Sequence, residues 1–96
     1  MSQLYTLVYV STATRILSPG DLNELVLRGR ARNVQHDVTA LLIYDSGNFM
    51  QCIEGPSQGL ATVYAHIRNS PLHRGIIELL MATIPVREFP DLPLDE

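Results

Sequence analysis

Residues 4–11, LYTLVYVS, place Tyr5, Leu7 and Tyr9 on one side of an extended chain and Leu4, Val8 and Val10 on the other. That β-branched and aromatic content, apolar on both sides, predicts a strand. The period then changes. Leu22, Leu25, Val26 and Gly29 fall at i, i+3, i+4 and i+7, a helical stripe with a gap at the glycine. Ser18, Pro19 and Asp21 stand before it at N-cap, N1 and N3, which predicts a capped start, and the helix is expected to end near Asn33. Residues 38–44, VTALLIY, and 49–54, FMQCIE, are two more strands, and Asp45-Ser46-Gly47-Asn48 between them predicts a hairpin. A second helix opens at Pro56-Ser57, carries Leu60, Val63, Tyr64 and Ile67 on one stripe, and stops at Ser70-Pro71. Residues 75–84 predict a fourth strand, broken by Pro85, with 86–89 as a short fifth.

The order βαββαβ(β) predicts a ferredoxin-like α+β domain over residues 1–96. A mixed sheet of four to five strands would carry two helices on one face. By alternation the other face holds Leu4, Val8, Val10, Leu41, Ile43, Met50 and Cys52, with Thr6, Thr39 and Glu54 among them. A bare apolar face of that size predicts a homodimer or larger homo-oligomer packed through it.

Composition narrows the partners. Hydrophobic residues make up 46% and charged residues 18%, as in a folded globular chain. A net charge of −3 gives no attraction to nucleic acid or anionic lipid, and no apolar run approaches the about 20 residues of a membrane span. One cysteine, Cys52, excludes an intrachain disulfide, and no signal peptide is visible, so a reducing, cytoplasmic setting is expected. All seven basic side chains are arginine.

Three polar residues stand out. Gln51 interrupts the apolar run FMQCIEG, and a buried amide costs free energy unless its donors and acceptor are matched. The topology places its strand beside that of Tyr9, so a phenol and an amide would share the interior under the helices. From the residues alone this is either a structural hydrogen-bonded pair or a relay facing a ligand. Asn33 is either a helix C-cap or an amide aimed at a ligand. Arg28, Arg30 and Arg32 read as a solvated helix face, His36, His66 and His73 as surface or core, and Cys52 as packing. No zinc spacing, G-x-G-x-x-G or phosphate loop is present, and Asp37, Glu54 and Glu78 form no evident acid–base pair.

Taken together, LYTLVYVS, the capped helix with DLNEL, N-x-x-x-x-V-T-A-L-L-I-Y and GNFMQCIEG resemble the BLUF domain, a blue-light sensor that uses FAD, from Leu4 to Phe89. The resemblance implies a flavin, FAD or FMN, held non-covalently between the two helices. Tyr9 would be the photoactive phenol and Gln51 the amide between it and the flavin. Asn33 would meet the polar edge of the ring, Leu25 and Ile67 would sandwich it, Arg32 would lie near its carbonyl edge, and Arg68 joins the binding set. The output would be a hydrogen-bond rearrangement passed to a partner protein, with no enzymatic turnover. Leu92 and Leu94 stand where the family carries tryptophan or methionine, and Ser70 and Leu72 where it carries an acid and an arginine. These departures keep open a flavin-free interaction module. An acylphosphatase-type enzyme ranks last, because the glycine-rich loop and arginine it needs after the first strand are missing.

Overall fold

The computed structural model describes residues 3–88. Its elements are β1 (Leu4–Ala13), α1 (Pro19–Gln35), β2 (Thr39–Asp45), β3 (Asn48–Pro56), α2 (Ser57–Arg68) and β4 (His73–Ile84). The strands form one sheet in the order β2-β3-β1-β4, every neighbouring pair antiparallel. This is the predicted ferredoxin-like α+β arrangement. The sheet is antiparallel throughout rather than mixed, because β3 lies between the two strands that the first crossover joins, and among the described residues it has four strands.

Local chemistry explains the boundaries. At the start of α1 the Ser18 hydroxyl accepts from the Asp21 amide and the Asp21 carboxylate accepts from the Ser18 amide, a reciprocal cap. The β2–β3 turn has φ of 51° at Ser46 and 83° at Gly47, the two positive values that match the twist of a tight hairpin. α1 runs past Asn33 to Gln35 and is capped by His36, so Asn33 is not the C-cap. Instead its carbonyl accepts from the amides of His36 and Val38 and closes the last turn. Residues 85–88 form no strand, and Phe89, Leu92 and Leu94 lie outside the described residues.

The core lies between sheet and helices. Leu7, Ala40, Leu42 and Ile53 of the sheet meet Leu60, Val63 and Ile67 of α2, all buried. Each fully buried Leu, Ile or Val contributes about 1.5–3 kcal/mol. The α1 stripe is less covered: Leu22, Leu25 and Val26 are only partly buried.

The opposite sheet face is apolar but not uniform. Ile43 and Met50 are 50% and 42% exposed, whereas Thr6, Thr39 and Glu54, expected to be exposed with them, are buried. Residues 85–88 cross that end. Arg87 donates to Thr39 Oγ1 and the Glu54 carbonyl at 3.1 Å and to the Asp37 carbonyl at 2.7 Å, and pairs with the Asp37 carboxylate at 3.1 Å. The Glu88 amide donates to both oxygens of the wholly buried Glu54 carboxylate, at 2.9 and 3.0 Å.

Candidate functional site

A cleft of about 320 Å³ opens between the helices above the sheet. Its floor is Tyr9 of β1, Leu42 of β2, and Phe49 and Gln51 of β3. One wall is α1, through Leu25, Arg28, Gly29 and Arg32. The other is α2 and its exit, through His66, Ile67 and the residues from Ser70 to His73. Gly29, the gap in the α1 stripe, is buried and contributes no side chain to this wall.

The register sets Tyr9 directly opposite Gln51, and alternation turns both toward the helices. Tyr9 is 2% and Gln51 6% exposed, and the phenol donates a hydrogen bond to Gln51 Oε1. Burial raises the Tyr9 pKa far above the ordinary tyrosine value; nearby Tyr64 adds to the shift and Arg32 opposes it. The phenol is therefore neutral and a donor. With Oε1 engaged, Gln51 has its two N–H donors left for other partners.

Arg32 supplies the cleft's other polar wall. Its Nε is buried and has no hydrogen-bond partner among the described residues. Burial lowers its pKa, Tyr9 raises it and Arg28 lowers it further, but a guanidinium stays charged. Arg28 and Arg32 are four apart on one helix face, and none of the described residues lining the cleft is acidic. The cleft is cationic inside a chain of net charge −3. His73 bonds Ser11 through Nδ1 and the Ile67 carbonyl through Nε2, both at 2.8 Å, and burial lowers its pKa.

Of the residues singled out in the sequence, Tyr9, Leu25, Arg32, Gln51 and Ile67 converge on this cleft. Asn33 is 1% exposed and does not line it. Arg68 stacks over the Tyr64 ring at 4.9 Å, also outside the lining. Sequence reasoning passed over Arg28, Phe49 and His73. Arg28 was legible from its four-residue spacing to Arg32, whereas nothing local marks His73.

The fold is thus a ferredoxin-like domain with an aromatic, cationic cleft between its helices and a buried phenol–amide pair on the cleft floor. The family model for BLUF, sensors of blue light using FAD, matches residues 4–95, and the chain belongs to that family. It is a blue-light sensor domain. It is 38% identical over 89 residues to the photoactivated adenylate cyclase subunit beta of Euglena longa, a match covering 93% of this chain and 10% of that protein. The dark-state structure of the BLUF protein BlrB superposes with a TM-score of 0.90 at 30% identity, over 99% of this chain and 72% of that one. Klebsiella pneumoniae BlrP1, solved with FMN and cyclic diGMP, gives 0.87 at 29% identity, over 96% of this chain and 25% of that one. The chain thus spans about a tenth of the Euglena relative's length, and cyclase activity is said of that protein alone.

Proposed function

We propose that the cleft binds a flavin nucleotide, FAD with FMN as the alternative, and that Tyr9 and Gln51 are its light-responsive element. The observation that carries this is the buried hydrogen bond from the Tyr9 phenol to Gln51 Oε1 on the cleft floor. The fit is supported by the volume of about 320 Å³, inside the range of about 300–1,000 Å³ usual for small-molecule sites. The buried Nε of Arg32, without a hydrogen-bond partner among the described residues, is a donor suited to a ring carbonyl.

A bound flavin supplies blue-light absorption and the capacity to accept an electron. The protein's own part follows from the pair. Tyr9, kept neutral by burial, directs its hydroxyl proton at Gln51 Oε1 and is the group from which a bound, light-excited flavin could draw an electron. A half-turn of the Gln51 amide would put Nε2–H against the Tyr9 oxygen and exchange donor for acceptor at both ends. Two such arrangements form a bistable element of the kind a switch requires. Leu25 and Ile67 would hold the two ring faces and Arg32 a carbonyl edge. Asn33, buried one position on and outside the lining of the ligand-free cleft, would meet a further polar edge once the bound ring displaced the wall that covers it. Arg68, over Tyr64, would act at the outer end of α2.

The domain would signal by contact with a downstream protein rather than by turnover, in the cytoplasm. A second copy would cover the open sheet face around Ile43 and Met50. The test is the purified protein itself. It should be yellow, release FAD on denaturation, and red-shift slightly and reversibly under blue light. Tyr9→Phe should keep the colour and lose the shift. Asn33→Ala should weaken binding by about 1–3 kcal/mol, the worth of a buried hydrogen bond. A colourless protein that takes up no added flavin would return the reading to a flavin-free interaction module.

A further inference from the structure

His73 occupies the cleft without taking part in the Tyr9–Gln51 pair, and its bonds join three elements. The Ile67 carbonyl can only accept, so Nε2 carries the hydrogen and Nδ1 of the neutral ring accepts from the Ser11 hydroxyl. Ser11 is buried on β1, two residues from Tyr9 and on the same sheet face. Ile67 lines the cleft from α2 beside His66, and its carbonyl also accepts from the Ser70 amide at 3.1 Å. The end of α2 is therefore tied at one oxygen both to its own exit and to the sheet. The imidazole also meets the Tyr9 ring at 6.2 Å between centroids and the Phe49 ring, edge on, at 5.6 Å.

We propose that His73 is a positioning residue of the light-sensing site: it pins the α2 wall at Ile67 to β1 at Ser11 and fixes the orientation of the Tyr9 ring. The optical half of its test rests on the flavin reading above. Burial favours the neutral ring. From α1, Arg28 and Arg32 line the same cleft; from α2 come His66 and Tyr64; β1 presents the Tyr9 phenol, and β3 only uncharged Phe49 and Gln51. On β4 itself, Arg74 follows it directly and Glu78 stands five residues on. Protonating His73 would add a cation to a cleft that holds two arginines. It would also turn Nδ1 from acceptor to donor, so the Ser11 hydroxyl must rotate and the wall beside Tyr9 must readjust.

The ligand-free protein decides the geometric half. Long-range proton–nitrogen NMR should show the His73 Nε2–H tautomer, titrating below the ordinary histidine value of about 6.5. In the flavin-loaded protein, dark recovery of the red-shifted state should show one pH step at that same midpoint. His73→Gln keeps a donor and an acceptor but cannot titrate. It should recover within about twofold of wild type at neutral pH and lose the step. His73→Phe keeps a ring without the bonds and should change recovery roughly tenfold, the effect of one ordinary hydrogen bond. An Nδ1–H tautomer, an ordinary His73 titration, or a pH step that survives His73→Gln and so belongs to another group such as His66, would each overturn the proposal. If no flavin binds, the flavin reading fails and the ligand-free tautomer and titration still decide for or against His73.

Discussion

Replacing Tyr9 by phenylalanine removes one hydroxyl from a position 2% exposed and leaves Gln51 Oε1 buried without the donor it has now. The ring stays, so its tilted contacts with Tyr64 at 5.9 Å and His73 at 6.2 Å survive and no cavity larger than an oxygen atom forms. The cost is therefore the stranded amide acceptor, about 1–3 kcal/mol, partly offset because the phenol no longer needs to be desolvated. Against about 5–15 kcal/mol for a whole domain, the variant folds. Melting should fall by about 4–8 °C per kcal/mol lost in a domain of this size. Gln51→Leu removes the other partner, and Tyr9→Phe/Gln51→Leu removes both. If the pair is one unit, the double variant should lose less than the two singles added together, by a coupling of about 0.5–3 kcal/mol. Urea unfolding of the four ligand-free proteins measures this without any optical assumption. A Tyr9→Phe variant as stable as wild type, or additive single changes, would refute the reasoning.

Other perturbations test the frame around the site. Glu54→Ala should cost about 2–4 kcal/mol, since it opens a cavity and strands the Glu88 amide; hydrogen exchange should accelerate at that amide before it does in β1. Gly59→Ala would set a Cβ 2.1 Å from the His36 carbonyl oxygen, backbone that cannot yield cheaply, so it should destabilise by about 1–3 kcal/mol. Gly20→Ala, whose nearest neighbour is the Ser18 hydroxyl at 3.8 Å, should stabilise by about 0.4–1 kcal/mol; denaturation curves separate the two. Bonds from Arg15 and then Ser18 hold the Asp21 carboxyl below its usual range. A lowered folded pKa means that stability is present above the unfolded value of about 3.9 and lost as pH falls through the folded one. Asp21→Asn should flatten that acid limb of the melting temperature. Sedimentation velocity at micromolar protein should show an assembly that a folded Val8→Glu variant weakens; a monodisperse wild-type monomer would remove the open face as an interface.

What the sequence determined alone is what short-range physics controls. Ser18 and Asp21 cap α1 because their side chains reach amides three residues away, and Ser46-Gly47 turns the hairpin because both adopt positive φ there. Alternation and the βαββαβ order went further and put the strands of Tyr9 and Gln51 side by side; the register that sets the two residues opposite each other came from the structure. The rest depended on meetings that no local pattern encodes. Arg87 reaches Asp37 across 50 positions and Thr39 across 48, and the Glu88 amide reaches Glu54 across 34, which is why Thr39 and Glu54 are buried on a face where alternation alone exposes them. His73 meets Ser11 across 62 positions and becomes part of the cleft although nothing near it in sequence marks it. The cleft itself is space left between α1, α2 and the sheet. Periodicity reports which residues can pack; only the tertiary structure decides where packing stops.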